Sequence, residues 1–191
     1  MAHGYLSVYR NADPRNSIIE DIGERVAKSW ELTEGTRLKE SIPESTTFTL
    51  APDSGDILCD FIPNISSVLV ISSRAKEMLE AEGLREGMEY LPVTVLDKRG
   101  RPTKSRYYLA NVLRKVPCMD RGNSEFVPGS DDEILIVERL KLQEERIPRE
   151  ARLFRLGECP EVIIIRSDLL QRIQDEKLTG LVVREQGEDI Y

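Results

Sequence analysis

Three observations predict an α+β fold, a mainly antiparallel or mixed sheet with a few packed helices. Short apolar runs that read as strands recur along the whole chain. Only two segments pair a buried-strand run with a clear helical stripe, so crossover helices are too few for a doubly wound sheet. The length of 191 residues allows one domain to bury a substantial core.

Taken in order, Tyr5 to Tyr9 alternates and predicts a short strand. From 11 to 45 charges mix with Asn, Gly and Pro around the only tryptophan, Trp30, and Ile18, Ile19, Ile22 and Val26 stand at helical spacing. Phe48 and Leu50 mark a second strand, and 57 to 62 a third, closed by the turn signal Pro63-Asn64. Val68-Leu69-Val70-Ile71 is a buried-strand run. Ser73 is the expected N-cap of a helix from Arg74 to about Glu82, with Ala75, Met78 and Leu79 as its core stripe and Gly83 at its end. Tyr90 to Leu96 alternates as a strand, followed by an exposed turn at 97 to 102.

A further strand starts at Tyr107, and Ile134-Leu135-Ile136-Val137 and Leu153-Phe154-Arg155-Leu156 give two more, on either side of a charged stretch at 143 to 150. The strand-cap-helix pattern then returns. Val162-Ile163-Ile164-Ile165 is the run, Ser167 the expected cap, and Leu169, Leu170 and Ile173 the stripe, before a strand at Leu181-Val182-Val183. Superposing Val68 on Val162 also matches Ile71 with Ile165, Ser73 with Ser167, Glu82 with Glu176 and Leu84 with Leu178. Duplication and a shared grammar of strand, cap and helix both account for this; the second needs fewer identities. No domain boundary stands out, so residues 1–191 read as a single domain, with 1–60 able to pack as a separate N-terminal lobe.

The net charge of -7 argues against binding a phosphate backbone, which needs clustered Lys and Arg; it either keeps the protein soluble, the reading that composition alone favours, or steers a basic partner. No apolar run approaches the roughly 18 residues of a membrane span. The first residues lack the basic-then-apolar layout of a signal peptide, so a cytoplasmic protein is expected. Cys59, Cys118 and Cys159 are odd in number and far apart, which suits small buried hydrophobes better than a disulfide framework. His3 is the only histidine, so neither a zinc set nor a histidine-based triad is expected, and no cofactor or metal. No heptad or other dimer signal is present.

Phosphate-binding loops are absent, and the acidic stretches lack the alternating oxygen ligands of a calcium loop. Ser73 and Ser167 stand between strand and helix, but without the Gly-x-Ser-x-Gly setting of a nucleophile elbow they read as caps. The polar groups that stand out are Asp120, Arg121, Ser124 and Glu125. Gly122-Asn123 lets the chain reverse there, Asp120 is placed to accept from turn amides and Ser124 to cap a further turn. Arg121 and Glu125 are placed to pair, worth only about 0–1 kcal/mol if exposed. Asp131-Asp132-Glu133 reads as a solvated turn before a strand. These seven residues serve a structural turn or a partner-contacting surface. A catalytic use of the carboxylates would require burial among other polar groups.

Several blocks in order resemble a bacterial immunity-protein family of polymorphic toxin systems, immunity family eleven, formerly a domain of unknown function. They are Trp30-Glu31-Leu32 with Gly35, Asp60-Phe61-Ile62-Pro63-Asn64, Val70-Ile71-Ser72 and Tyr107-Tyr108-Leu109-Ala110-Asn111-Val112. Asp120 with Ser124-Glu125, Leu153-Phe154-Arg155-Leu156 and Leu178-Thr179-Gly180-Leu181 continue the set over about residues 30 to 185. Cys59 departs from the small or apolar residue expected before Asp60. The resemblance implies a non-enzymatic protein that binds and neutralises a cognate toxin, and it carries over no catalytic residues. Asp120, Arg121, Ser124, Glu125, Asp131, Asp132 and Glu133 are the candidate partner-binding residues. A small carboxylate-dependent enzyme and a regulatory protein-binding module are the alternatives.

Overall fold

Period-two alternation decides which layer each strand side chain enters. The computed structural model describes residues 4–9, 13–21, 29–40, 42–43, 46–64 and 66–190. Among them are thirteen strands and two α-helices in mixed and antiparallel sheets, the α+β class predicted from the sequence. One sheet runs in the order β2 (Ile19–Asp21), β3 (Thr47–Leu50), β6 (Met88–Leu96), β7 (Tyr107–Val112), β5 (Leu69–Ser72) and β4 (Phe61–Ile62). A bridge from Ile19 to Asn64, with Ile19 N donating to Pro63 O at 2.8 Å, links its two ends, so the sheet curls back on itself. Ile19, Phe48, Ile62, Val70, Leu91 and Leu109 fill the inside, together with Leu32 and Leu38.

The intervening residues Phe61, Leu69, Ile71, Met88 and Ala110 face outward into a second core. That core is shared with the sheet β13 (Val182–Arg184), β1 (Tyr5–Tyr9), β12 (Ile163–Arg166), β11 (Leu153–Leu156) and β8 (Lys115–Val116), through Ile163 and Ile165. The helices α1 (Ser73–Ala81) and α2 (Ser167–Asp175) add Ala75, Leu79, Leu169 and Ile173. On the other face of this sheet, Phe154, Leu156 and Ile164 form a third core, closed by Phe126, Ile134 and Val137 of the hairpin β9 (Glu125–Pro128) and β10 (Ile134–Arg139). Both apolar runs are thus continuous because β5 and β12 are covered on both faces.

Two expectations shift by one residue. The N-cap of α1 is Ser72, whose Oγ accepts from Ala75 N at 3.2 Å, while Ser73 is the first helical residue. Arg166 occupies the cap of α2 and makes no side-chain cap bond, so Ser167 is no cap either. In both units strand runs into helix without a loop, so the last strand residue becomes the cap. Ile18 and Ile19 do not begin a helix. Ile19 is fully buried in β2, paired with β3, and Ile22 and Val26 lie outside the described residues. Of the strand expected over 57 to 62 only Phe61–Ile62 forms, while Ile57 makes an isolated bridge to Asn16.

The two strand-helix units also end alike. Glu82 N donates to Met78 O and Glu176 N to Arg172 O; Gly83 and Lys177, at matching positions, both take positive φ. The helices are tied together by charge. Arg152 reaches Glu82, the C-cap of α1, at 3.0 Å and Asp168 on α2 at 3.0 Å, Arg172 meets Glu82 at 2.9 Å, and Arg166 meets Asp168 at 2.7 Å. The hydrogen bond from Arg166, with the nearby Arg152 charge, holds the Asp168 carboxyl at about 2, below its ordinary 3.8. A depressed carboxylate stabilises the fold above its unfolded-state value and loses that contribution as pH falls through the folded one. For this solvent-screened network we expect about 1 kcal/mol to disappear between about pH 4 and pH 2. Urea midpoints across that range check it: Asp168→Asn should flatten the pH dependence there.

Candidate partner-binding site

Beyond β8 the chain turns at 121–123, and Asp120 closes the turn as expected. Its Oδ1 accepts from Gly122 N at 3.1 Å and its Oδ2 from Asn123 Nδ2 at 2.7 Å. The reversal needs no left-handed residue, since neither Gly122 nor Asn123 takes a positive φ. Ser124 does not cap a further turn. Its Oγ accepts from Lys141 N at 2.9 Å and donates to Lys141 O at 3.2 Å, pinning the start of β9 to the chain leaving β10.

Arg121 and Glu125 do not pair with each other. Glu125 stands opposite Arg139 in the β9–β10 ladder and meets its guanidinium at 3.0 Å, a cross-strand pair, and Arg139 also reaches Asp189 at 2.7 Å. Arg121 instead contacts the hairpin tip, with Nη1 2.5 Å from Asp132 Oδ1 and Nη2 donating to Asp132 O at 3.0 Å. The tip is a two-residue turn in which Asp131 and Asp132 have φ of 53° and 67°, and Glu133 N donates to Ser130 O at 3.1 Å. Asp tolerates this conformation better than most residues. The structure thus brings the two acidic segments together through Arg121. Asp131, Asp132 and Glu133 are all exposed, and the Asp131 and Glu133 carboxylates have no hydrogen-bond or ion-pair partner among the described residues.

Beside this face lies a cleft of about 330 Å³ that no single segment announces. Phe61, Val68, Leu135, Val162 and Leu181 are among its apolar walls, and Glu161 is its only charged lining residue among those described. Leu135 is 52% exposed, and a Cβ added at Gly129 would lie 3.0 Å from Leu135 and 3.3 Å from Glu133 Cβ. The cleft therefore adjoins the acidic turn. None of Asp120, Glu125, Asp131, Asp132 or Glu133 lines it, so these carboxylates do not converge in a cleft as acid-base chemistry would need. Cys59, Cys118 and Cys159 are buried and unpaired; burial pushes the Cys118 thiol up to about 12 and that of Cys159 to about 11, leaving them protonated small hydrophobes.

Two polar knots, the first buried and the second partly exposed, hold the elements that frame this region. In the first, the Arg155 guanidinium, 1% exposed, donates to Val112 O at 2.9 Å, Pro160 O at 2.7 Å and Leu32 O at 3.1 Å. Burial without a bonded carboxylate pulls its pKa down to about 10. Gly35, at φ of +67°, lies against it; a Cβ there would stand 2.9 Å from both Arg155 Cδ and Val112 O. Nearby Glu89 accepts from Leu38 N at 2.7 Å and from Asn111 Nδ2 at 3.2 Å. In the second knot, Asp60 accepts from Ser72 Oγ at 2.7 Å, Thr179 N at 3.0 Å and Thr179 Oγ1 at 3.2 Å, while Gly180 packs directly on Phe61 O.

A family model described as the immunity protein family Imm11 matches residues 10–188. The chain belongs to this family. Comparison with curated proteins gives no match. The blocks that resemble immunity family eleven now have a physical role. Leu32, Gly35, Val112 and Arg155 meet in the first knot, and Asp60, Ser72, Thr179 and Gly180 in the second. Most of these blocks therefore hold the scaffold together. The Asp120 block is the exception, lying on the outer face with the hairpin.

Proposed function

We propose that the chain is a cytoplasmic immunity protein of a polymorphic toxin system, which binds and neutralises a cognate toxin and performs no reaction of its own. Membership of the Imm11 family carries this reading. The exposed face bearing Asp120, Arg121, Ser124, Glu125, Asp131, Asp132 and Glu133 is the partner surface. Its support is the net charge of -7, which would steer a basic toxin, and the exposure of the acidic tip. Residues 1–191 act as one domain. In favour of this, β1 pairs with β12 and β13 from the far end of the chain, and β3 pairs with β6. No helix among the described residues is long and apolar enough to cross a membrane.

The test is co-expression with the toxin domain encoded by the neighbouring gene. Cells carrying both should grow as those without toxin, and the two proteins should purify together. Killing at the rate seen without the chain, with no complex recovered, would contradict the reading.

A further inference from the structure

We propose that the apolar cleft beside the hairpin is the anchor site for the toxin, receiving an apolar side chain flanked by basic residues. This rests on the immunity reading and adds to it the place and chemistry of contact. Three observations carry it. The walls are apolar and drawn from both sheets and the hairpin, the kind of preformed desolvated pocket in which interface hot spots sit. Leu135 stands at the mouth 52% exposed, and Val127 in the paired strand is 37% exposed, so two of the three large exposed hydrophobics among the described residues lie on this hairpin.

The charge is one-sided. Glu161, exposed, is the only formally charged side chain among the described residues of the cleft wall, and the unpaired carboxylates of Asp131 and Glu133 belong to the turn that Leu135 adjoins. No Lys or Arg among the described residues lines the cleft. An incoming apolar anchor would be desolvated there while cations beside it meet carboxylates at the rim. An acidic or neutral partner would gain only the first of these contributions. The single dominant occupant is therefore a basic protein surface with a protruding apolar residue.

The experiment measures affinity of the purified full chain for the neighbouring gene's toxin domain, made catalytically inactive, by titration calorimetry and stopped-flow association. Leu135→Asp and Glu161→Lys change exposed positions, and matching thermal unfolding with wild type confirms that they fold. Each should weaken binding at least about tenfold. Asp131→Asn with Glu133→Gln should slow association and reduce its dependence on salt. Arg99→Glu with Lys104→Glu, in the β6–β7 loop away from the cleft lining, should leave affinity within about twofold of wild type. Wild-type binding with both cleft variants unaffected overturns the anchor site and leaves the immunity reading standing. No wild-type binding overturns both. If the cleft substitutions abolish only binding of the dye 8-anilinonaphthalene-1-sulfonate, or only self-association of the chain seen by sedimentation, the occupant is a small molecule or a second copy, and the proposal is overturned.

Discussion

Replacing Arg155 with alanine should cost about 3–5 kcal/mol and lower the unfolding temperature by about 10–15 °C. The guanidinium is among the largest fully buried side chains and supplies donors to the carbonyls of Val112, Pro160 and Leu32. Removing it leaves three acceptors without a donor and a void where the side chain lay against Gly35. Recovering the solvation of the charge offsets part of this, because burial already pulls the group down to about 10. Lysine should not rescue. A single ammonium cannot span three carbonyls that a planar fork reaches at once. Thermal unfolding of the two variants against wild type checks this, and an Arg155→Lys protein as stable as wild type would show that charge alone suffices.

Gly180→Ala should have the next largest effect, about 3 kcal/mol or more. Gly180 has φ of +92°, and an added Cβ would sit 2.1 Å from Phe61 O and 2.5 Å from Cys59 Cβ. Both neighbours belong to the segment tied to 178–181 by Phe61 N donating to Thr179 O at 2.9 Å, so relief means pulling that contact apart. Gly83→Ala is the control. It shares the positive φ, at +81°, but a Cβ there meets nothing within 4 Å, so only the backbone cost of about 1 kcal/mol should appear. Equal losses in the two variants would mean that the close approach at Gly180 does not matter.

Apolar periodicity made the cores legible. Val68 to Ile71 and Val162 to Ile165 are apolar at every position because layers cover both faces, and Ala75, Leu79, Leu169 and Ile173 face inward as their spacing requires. Junctions were less legible. Whether Ser72 or Ser73 caps α1 depends on how directly the strand becomes helix, which serines in tandem do not reveal. Ile18 and Ile19 belong to a short apolar run that suits strand or helix equally, and pairing with β3 decides the matter.

Long-range polar pairing was largely invisible. Arg155 gave one readable signal, a cation inside the run Leu153-Phe154-Arg155-Leu156, but nothing local says that its partners are carbonyls at 32, 112 and 160. Arg121 was matched with Glu125 by proximity in the chain, whereas the hairpin register gives Glu125 to Arg139 and the folded-back tip gives Arg121 to Asp132. The cleft had no sequence signature. Its walls come from strands of both sheets, the hairpin and the segment after α2, so it exists only once the layers are assembled.

The most direct measurement is a titration of the neighbouring toxin domain's own activity with the purified full chain. Activity should fall in proportion to added chain and reach background once the chain is in excess, with one complex resolved by gel filtration. Undiminished activity at saturating chain, with the two proteins eluting separately, would contradict the proposed immunity function.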